Sequence, residues 1–115
     1  MLPAPYRLRG KRNFQRVQAS PHVVRTKLLA MRIVRRNGGR TARVSIAVGR
    51  WVSKRAVDRN RITRWLRESV RILLPRLRSG VDLRLSATAP AAYYSYRQCV
   101  VGVETLLKKA DLLQK

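Results

Sequence analysis

What this chain has least of is negative charge. Five Asp and Glu stand against 27 Lys and Arg over 115 residues, a formal net charge of +22. None of the acids (Asp58, Glu68, Asp82, Glu104, Asp111) precedes residue 58, whereas the first 57 residues hold 15 Lys and Arg. Five scattered carboxylates and one histidine, His22, supply neither a metal-binding acidic cluster nor a His/Lys acid–base pair, so catalytic residues are expected to be absent, as are metal ligands. His22 reads as a loop residue. The single cysteine, Cys99, excludes an intramolecular disulfide and supports neither a zinc site nor a redox pair; it reads as a small buried hydrophobe. No apolar run approaches the roughly 20 residues of a spanning helix. Met1-Leu2-Pro3-Ala4-Pro5 lacks the apolar core and cleavage site of a secretory signal. The expectation is a cytoplasmic protein with no membrane partner. Internal repeats and low-complexity linkers are also missing.

What is present points to a polyanion. A charge of +22 far exceeds what solubility requires and destabilises the compact state by self-repulsion until an anionic partner offsets it. Of the basic residues 21 are Arg and six are Lys. Arginine adds bidentate phosphate contact and stacking on bases, which a purely electrostatic tail does not need. The 45% apolar content is enough for a real core, so residues 1–115 are read as one domain rather than a disordered basic tail.

Along the chain, residues 1–9 form a basic, extended arm. Residues 11–18 suit a short helix with Phe14 and Val17 as apolar contacts, ended by Ser20-Pro21. A strand is predicted near Lys27–Val34, and Asn37-Gly38-Gly39 is a hairpin turn signal. Arg43–Val48 alternates, with Val44, Ile46 and Val48 on one face and Arg43, Ser45 and Ala47 on the other, as in a half-buried strand. Another alternating strand spans Val81–Ala87. A last helix is expected from Tyr93 to Leu113, with Val100, Val103, Leu106, Leu107 and Ala110 toward the core and Tyr93, Tyr94 and Tyr96 packing at its start. The order α-β-β-(β)-α-β-α describes an α+β domain with one mixed sheet packed with helices.

Residues 59–71 carry the most information. At helical angles Asn60, Arg64, Arg67 and Arg71 share one face, spaced by four, three and four. Ile62, Trp65, Leu66, Ser69, Val70 and Leu73 fall on the opposite, core-seeking side. Arg59 to Arg71 spans about 18 Å at the usual rise, and Pro75 stops the helix. Asp58 lies near its start, where the dipole favours a carboxylate and a free N–H can be capped; Glu68 is placed to pair with Arg64 or Arg71. A helix this cationic is expected to dock on RNA.

Arg43–Arg50, a basic connector, then Ala56-Val57-Asp58-Arg59-Asn60-Arg61-Ile62-Thr63-Arg64 with Arg67-Glu68, resembles the bacterial ribonuclease P protein component. Arg7-Leu8-Arg9 and Asn13-Phe14-Gln15-Arg16-Val17 resemble that family's opening. The resemblance covers 6–18 and 43–87 well, 19–42 poorly and 88–115 only in pattern. It implies a ribonuclease P protein-like fold with a left-handed β-α-β crossover, contrary to the usual hand. It further implies a cytoplasmic holoenzyme of one protein and one RNA subunit. There the catalytic RNA, with bound Mg²⁺, removes the 5′ leader of precursor tRNA. Carried over by position, Arg59, Asn60, Arg61, Arg64 and Arg67 face the catalytic RNA, with Arg71 on the same helix face. Phe14, Arg43, Ser45, Ala47, Arg50 and Trp51 line the cleft for the leader. Arg7, Arg9, Lys11, Arg12, Lys54 and Arg55 add basic RNA contacts. The chain departs from the family pattern at Gln18, where a second aromatic is usual, at Leu29-Ala30-Met31, and at Arg50-Trp51, where paired lysines are usual. Trp51 is a candidate to take over stacking.

Blander roles stand beside these. Trp65 shares a stripe with Ile62 and Leu66 and reads as core, and Phe14 divides between core and cleft. A structural RNA-binding protein, such as a ribosomal protein, shares the charge and size. A DNA-binding architectural protein is disfavoured by the lack of helix-turn-helix or zinc patterns.

Overall fold

The computed structural model describes residues 2–36, 39 and 41–114. Three helices and four strands follow in the order α1 (Lys11–Gln18), β1 (Val23–Arg25), β2 (Leu29–Arg35), β3 (Arg43–Ala47), α2 (Ala56–Leu73), β4 (Val81–Ala87) and α3 (Tyr96–Lys109). The strands form one mixed sheet in the order β1-β2-β4-β3. β2 pairs antiparallel with both β1 and β4, and β3 lies parallel to β4, joined to it by α2.

Period-two alternation gives the sheet two different faces. Leu29, Met31 and Ile33 of β2, Val44 of β3, and Val81, Leu83, Leu85 and Ala87 of β4 are buried. They meet Ile62, Leu66, Val70 and Leu73 of α2 and Cys99, Val103, Leu106 and Leu107 of α3 in one core. Burying each Leu, Ile, Val or Met among them contributes on the order of 2 kcal/mol. The other face is mostly open. Its register aligns Val23, Arg32, Arg84 and Ser45 in one row and Arg25, Ala30, Ser86 and Ala47 in the next. Short α1 covers one end of this face through Val17, which is fully buried.

Several expectations need correction. The strand near Lys27–Val34 is β2, and a separate short strand, β1, precedes it across a turn at Thr26–Leu28. Neither Gly nor Asn marks this turn; Thr26 makes it, its Oγ1 accepting from the Leu29 amide at 3.2 Å. At the hairpin signal, Asn37 and Gly38 lie outside the described residues. The strands flanking it are not partners, because β4 lies between β2 and β3. The arm is not extended throughout: Ala4–Tyr6 is a 3₁₀ turn, Leu2 and Leu8 are buried, and the Leu8 amide donates to the Val44 carbonyl at 3.1 Å. The last helix starts at Tyr96, later than expected, because Ser95 caps it by accepting from the Gln98 amide at 3.1 Å. Cys99 rather than Val100 takes the core position. Only Tyr94 packs inside. Its hydroxyl accepts from the amides of Thr88 and Ala89 and donates to the Leu28 carbonyl, while Tyr93 and Tyr96 are exposed.

Candidate nucleic-acid interface

Two basic surfaces emerge, one on α2 and one on the open face of the sheet.

On α2 the apolar stripe is buried as its spacing requires except at Trp65, which is half-buried; Ser69 is buried with it, its hydroxyl donating to the Trp65 carbonyl at 2.7 Å. Asn60, Arg64, Arg67 and Arg71 are exposed on the other side. The arginines divide by partner. Arg59 donates to the carbonyls of Ser53 and Lys54, both at 2.9 Å, so it braces the connector that precedes the helix. Arg61 donates to Asp58 at 3.2 Å and lies over the Trp65 ring, 5.4 Å from its centroid. Arg71 is held by Glu68, its Nε donating at 2.8 Å. Arg64 and Arg67 have no carboxylate partner among the described residues and present their charge to solvent. Asp58 sits in the first turn, where the dipole favours it, but provides no cap for a helix amide. Instead it accepts from the Ser53 hydroxyl at 2.9 Å, and Ser53 accepts from the Arg55 amide at 3.1 Å. The connector is thereby folded against the helix start, with Lys54 and Arg55 left exposed.

The open sheet face carries a cleft of about 220 Å³ lined by Gln18, Val23, Arg25, Ala30, Arg32, Ala47, Trp51, Arg84 and Ser86. Trp51 is its aromatic wall. The indole is 63% exposed, fixed by its Nε1 donating to the Ala87 carbonyl at 2.7 Å, and laid over Gly49 so closely that a β-carbon there would meet ring atoms at 1.9 Å. Phe14 stands at the α1 edge with the Arg84 guanidinium 6.0 Å from its ring centroid.

One end of this face is locked by Asp82, whose side chain is wholly buried. Arg16 of α1 donates to it at 2.7 Å, Arg43 of β3 at 2.7 and 2.8 Å, and Arg36 just after β2 lies 3.0 Å away. Burial alone pushes this carboxyl up. The hydrogen bonds from Arg43 and Arg16, with the charges of Arg43 and Arg36, outweigh burial and hold it below the usual carboxylate range. The same hydrogen bond raises Arg43.

Of the six residues expected to line the cleft, the structure brings Ala47 and Trp51 into it and sets Phe14 at its edge. It does not bring Arg43, Ser45 or Arg50 there. Arg43 spends its guanidinium on Asp82, Ser45 Oγ is buried without a partner among the described residues, and Arg50, though exposed, is not among the residues lining the cleft. Gln18 lines the cleft where the family pattern has an aromatic. Sequence reasoning missed Arg25, Arg32 and Arg84. Their signal was the alternation of β2 and β4, which puts Arg32 and Arg84 on the face opposite Met31 and Leu83. Arg9, Lys11 and Arg12 are exposed at the start of α1; Arg7 is half-buried, its Nε donating to the Leu2 carbonyl at 2.6 Å. No three His, Cys, Asp or Glu side chains gather among the described residues, and none of the helices described there is long and apolar enough to cross a membrane.

Comparison with known proteins identifies the family. The family model for ribonuclease P matches residues 2–111. A ribonuclease P protein component of Synechococcus sp. (strain JA-2-3B'a(2-13)) is 39% identical, over 98% of this chain and 87% of its own. That of Symbiobacterium thermophilum is 36% identical over 96% and 95%. A solved structure of the Staphylococcus aureus RNase P protein superposes with a TM-score of 0.83 at 25% identity, covering 95% of this chain and 98% of that one. With the family model covering nearly the whole length and relatives 36–39% identical end to end, the chain belongs to the ribonuclease P protein component family, partner of the ribonuclease P RNA in the endoribonuclease that processes tRNA 5′ ends.

Proposed function

We propose that the open sheet face binds the single-stranded 5′ leader of precursor tRNA while α2 docks on the catalytic RNA. The observation that carries this reading is the separation of the two surfaces. The core lies between α2 and the sheet's inner face, so the free arginines of α2 and the cleft of Trp51, Arg32 and Arg84 point to different polyanions. Trp51 and Phe14 offer ring faces, worth about 1–3 kcal/mol per stacked base, while Arg25, Arg32 and Arg84 meet phosphates. Neither contact reads a base edge, so many leaders fit one cleft.

The chemistry is assigned to the RNA. Mg²⁺ takes oxygen ligands at near-octahedral geometry, and this chain's carboxylates are scattered, with Asp82, Asp58 and Glu68 already engaged by arginine. Such residues do not fit the ion, which on this reading is bound by the RNA in a cytoplasmic complex of one protein and one RNA. The protein's part is electrostatic. Arg64, Arg67 and their neighbours neutralise RNA phosphates and so lower the Mg²⁺ concentration at which the complex works.

The test is cleavage of a 5′-labelled precursor tRNA by a bacterial ribonuclease P RNA at low Mg²⁺, with and without the protein. Restored cleavage at the mature 5′ end, with none by protein alone, is the expected result. Tight, salt-dependent RNA binding without stimulation would favour the structural RNA-binding alternative.

A further inference from the structure

We propose that the groove between α2 and the first turn of α3 receives one unstacked nucleobase of the catalytic RNA, stacked on Tyr96, with its flanking phosphates on Arg64 and Arg67. This rests on the assignment of α2 as the RNA-docking helix and extends the interface to a second element.

The groove has a volume of about 400 Å³ and is lined by Arg64, Trp65, Arg67, Glu68 and Tyr96. Tyr96 opens α3, where the Ser95 cap holds the helix start in place. Its ring is 43% exposed, and the packing of α3 on the core is made by Cys99, Val103, Leu106 and Leu107 instead. An exposed aromatic bordered by unpaired guanidinium groups is the combination with which proteins hold unstacked bases. Trp65 contributes a fixed wall. It packs against the core and carries the Arg61 guanidinium over its ring, so the face left for a base is that of Tyr96. Arg64 and Arg67 have no carboxylate partner among the described residues. Their charge is therefore available to the phosphates on either side of a flipped-out nucleotide.

Glu68 selects between base and phosphate. A carboxylate on this wall repels phosphate, whereas it accepts a hydrogen bond from the exocyclic amino group of a base edge. Its hydrogen bonds from Arg71 fix it there, leaving it below the usual carboxylate range and ionised at neutral pH. The groove thus fits a base better than a second backbone strand.

The experiment titrates a labelled bacterial ribonuclease P RNA with the full chain at several salt concentrations, comparing wild type, Tyr96→Ala, Tyr96→Phe and Arg64→Ala. Tyr96→Ala is expected to weaken Kd roughly 5- to 100-fold with no change in the slope of log Kd against log salt, and Tyr96→Phe to bind within about twofold of wild type. Arg64→Ala instead lowers that slope by about one. In a Trp51→Phe background, Trp65 emission should change when RNA binds. Wild-type affinity in Tyr96→Ala overturns the proposal, as does an equal loss in both Tyr96 variants or an unmoved Trp65 emission. If the wild-type chain shows no salt-dependent binding, the docking assignment itself fails, a result distinct from failure of the groove alone.

Discussion

Replacing Asp82 by Asn should uncouple α1 from the sheet and, through it, weaken leader binding. Asp82 is the only acid with no side-chain exposure among the ion pairs, and it holds three elements at once: α1 through Arg16, the end of β2 through Arg36 and β3 through Arg43. Asn keeps the shape but removes the charge and turns an –NH₂ donor toward guanidinium donors. Removing one partner of a buried ion pair costs about 3–5 kcal/mol because the remaining charge is stranded. Arg16 is 46% exposed and can turn to water, whereas Arg36 and Arg43 are held at 17% and 26%. The lower end applies, roughly 3 kcal/mol, and at about 4 °C per kcal/mol for a chain of this size Tm should fall by about 12 °C. The assay is thermal unfolding followed by circular dichroism across pH. Because the folded-state pKa is depressed, the carboxylate's contribution is fully present above the unfolded value of about 3.9 and is lost as pH falls through the folded one. The gap between wild type and Asp82→Asn should therefore be constant from about pH 5 upward and close below about pH 4. Arg16→Ala separates cleft from fold: it removes the α1 tether at a partly exposed site, costing about 1 kcal/mol, yet should weaken leader affinity as Asp82→Asn does. A Tm change under about 4 °C in Asp82→Asn, or unchanged leader affinity in Arg16→Ala, would refute the reasoning.

Four further outcomes follow from the geometry. Arg64→Ala with Arg67→Ala should lower the salt slope of catalytic-RNA binding by about two and leave Tm in place, since neither guanidinium has a hydrogen-bond or carboxylate partner among the described residues; a matching loss of thermal stability would reassign them to the fold. Trp51→Ala should cost about 1–3 kcal/mol in leader affinity, measured on precursor tRNAs with and without a leader, and an equal loss for both substrates would place Trp51 outside the cleft. Gly49→Ala should mimic Trp51→Ala, because a β-carbon there meets the indole at 1.9 Å and must displace it; wild-type leader affinity would show that the ring's place does not matter. Cys99, wholly buried with its thiol pushed up to about 11 by burial, should resist thiol reagents at pH 8 in the native protein and react on unfolding. Rapid native labelling would contradict its packing.

The amphipathic helix of 56–73 was legible because its two stripes are each set by local spacing: any helix of that sequence puts Ile62, Leu66 and Val70 opposite Asn60, Arg64 and Arg67. The strands at 43–47 and 81–87 were legible for the same reason with period two. The division of labour among the basic residues was not. Arg43 and Arg84 look alike in sequence, each alternating with buried aliphatics, yet one is consumed by Asp82 and the other is left free over Phe14. Asp82 itself is only one polar residue of an alternating strand until Arg16 of α1, Arg36 after β2 and Arg43 of β3 close around it. The β1 turn escaped because Thr26 makes it with a side-chain hydrogen bond rather than with Gly or Asn.

By itself the sequence determined that the partner is a polyanion and that residues 56–73 form a two-sided helix, since charge balance and periodicity are properties of neighbours along the chain. Tertiary structure alone decided which strand lies between β2 and β3, which arginines remain free, and that Trp51 and Tyr96 stand exposed on different surfaces. Those outcomes depend on groups distant in sequence meeting in space, as Arg16 and Asp82 do across 66 positions, and no local pattern encodes such a meeting.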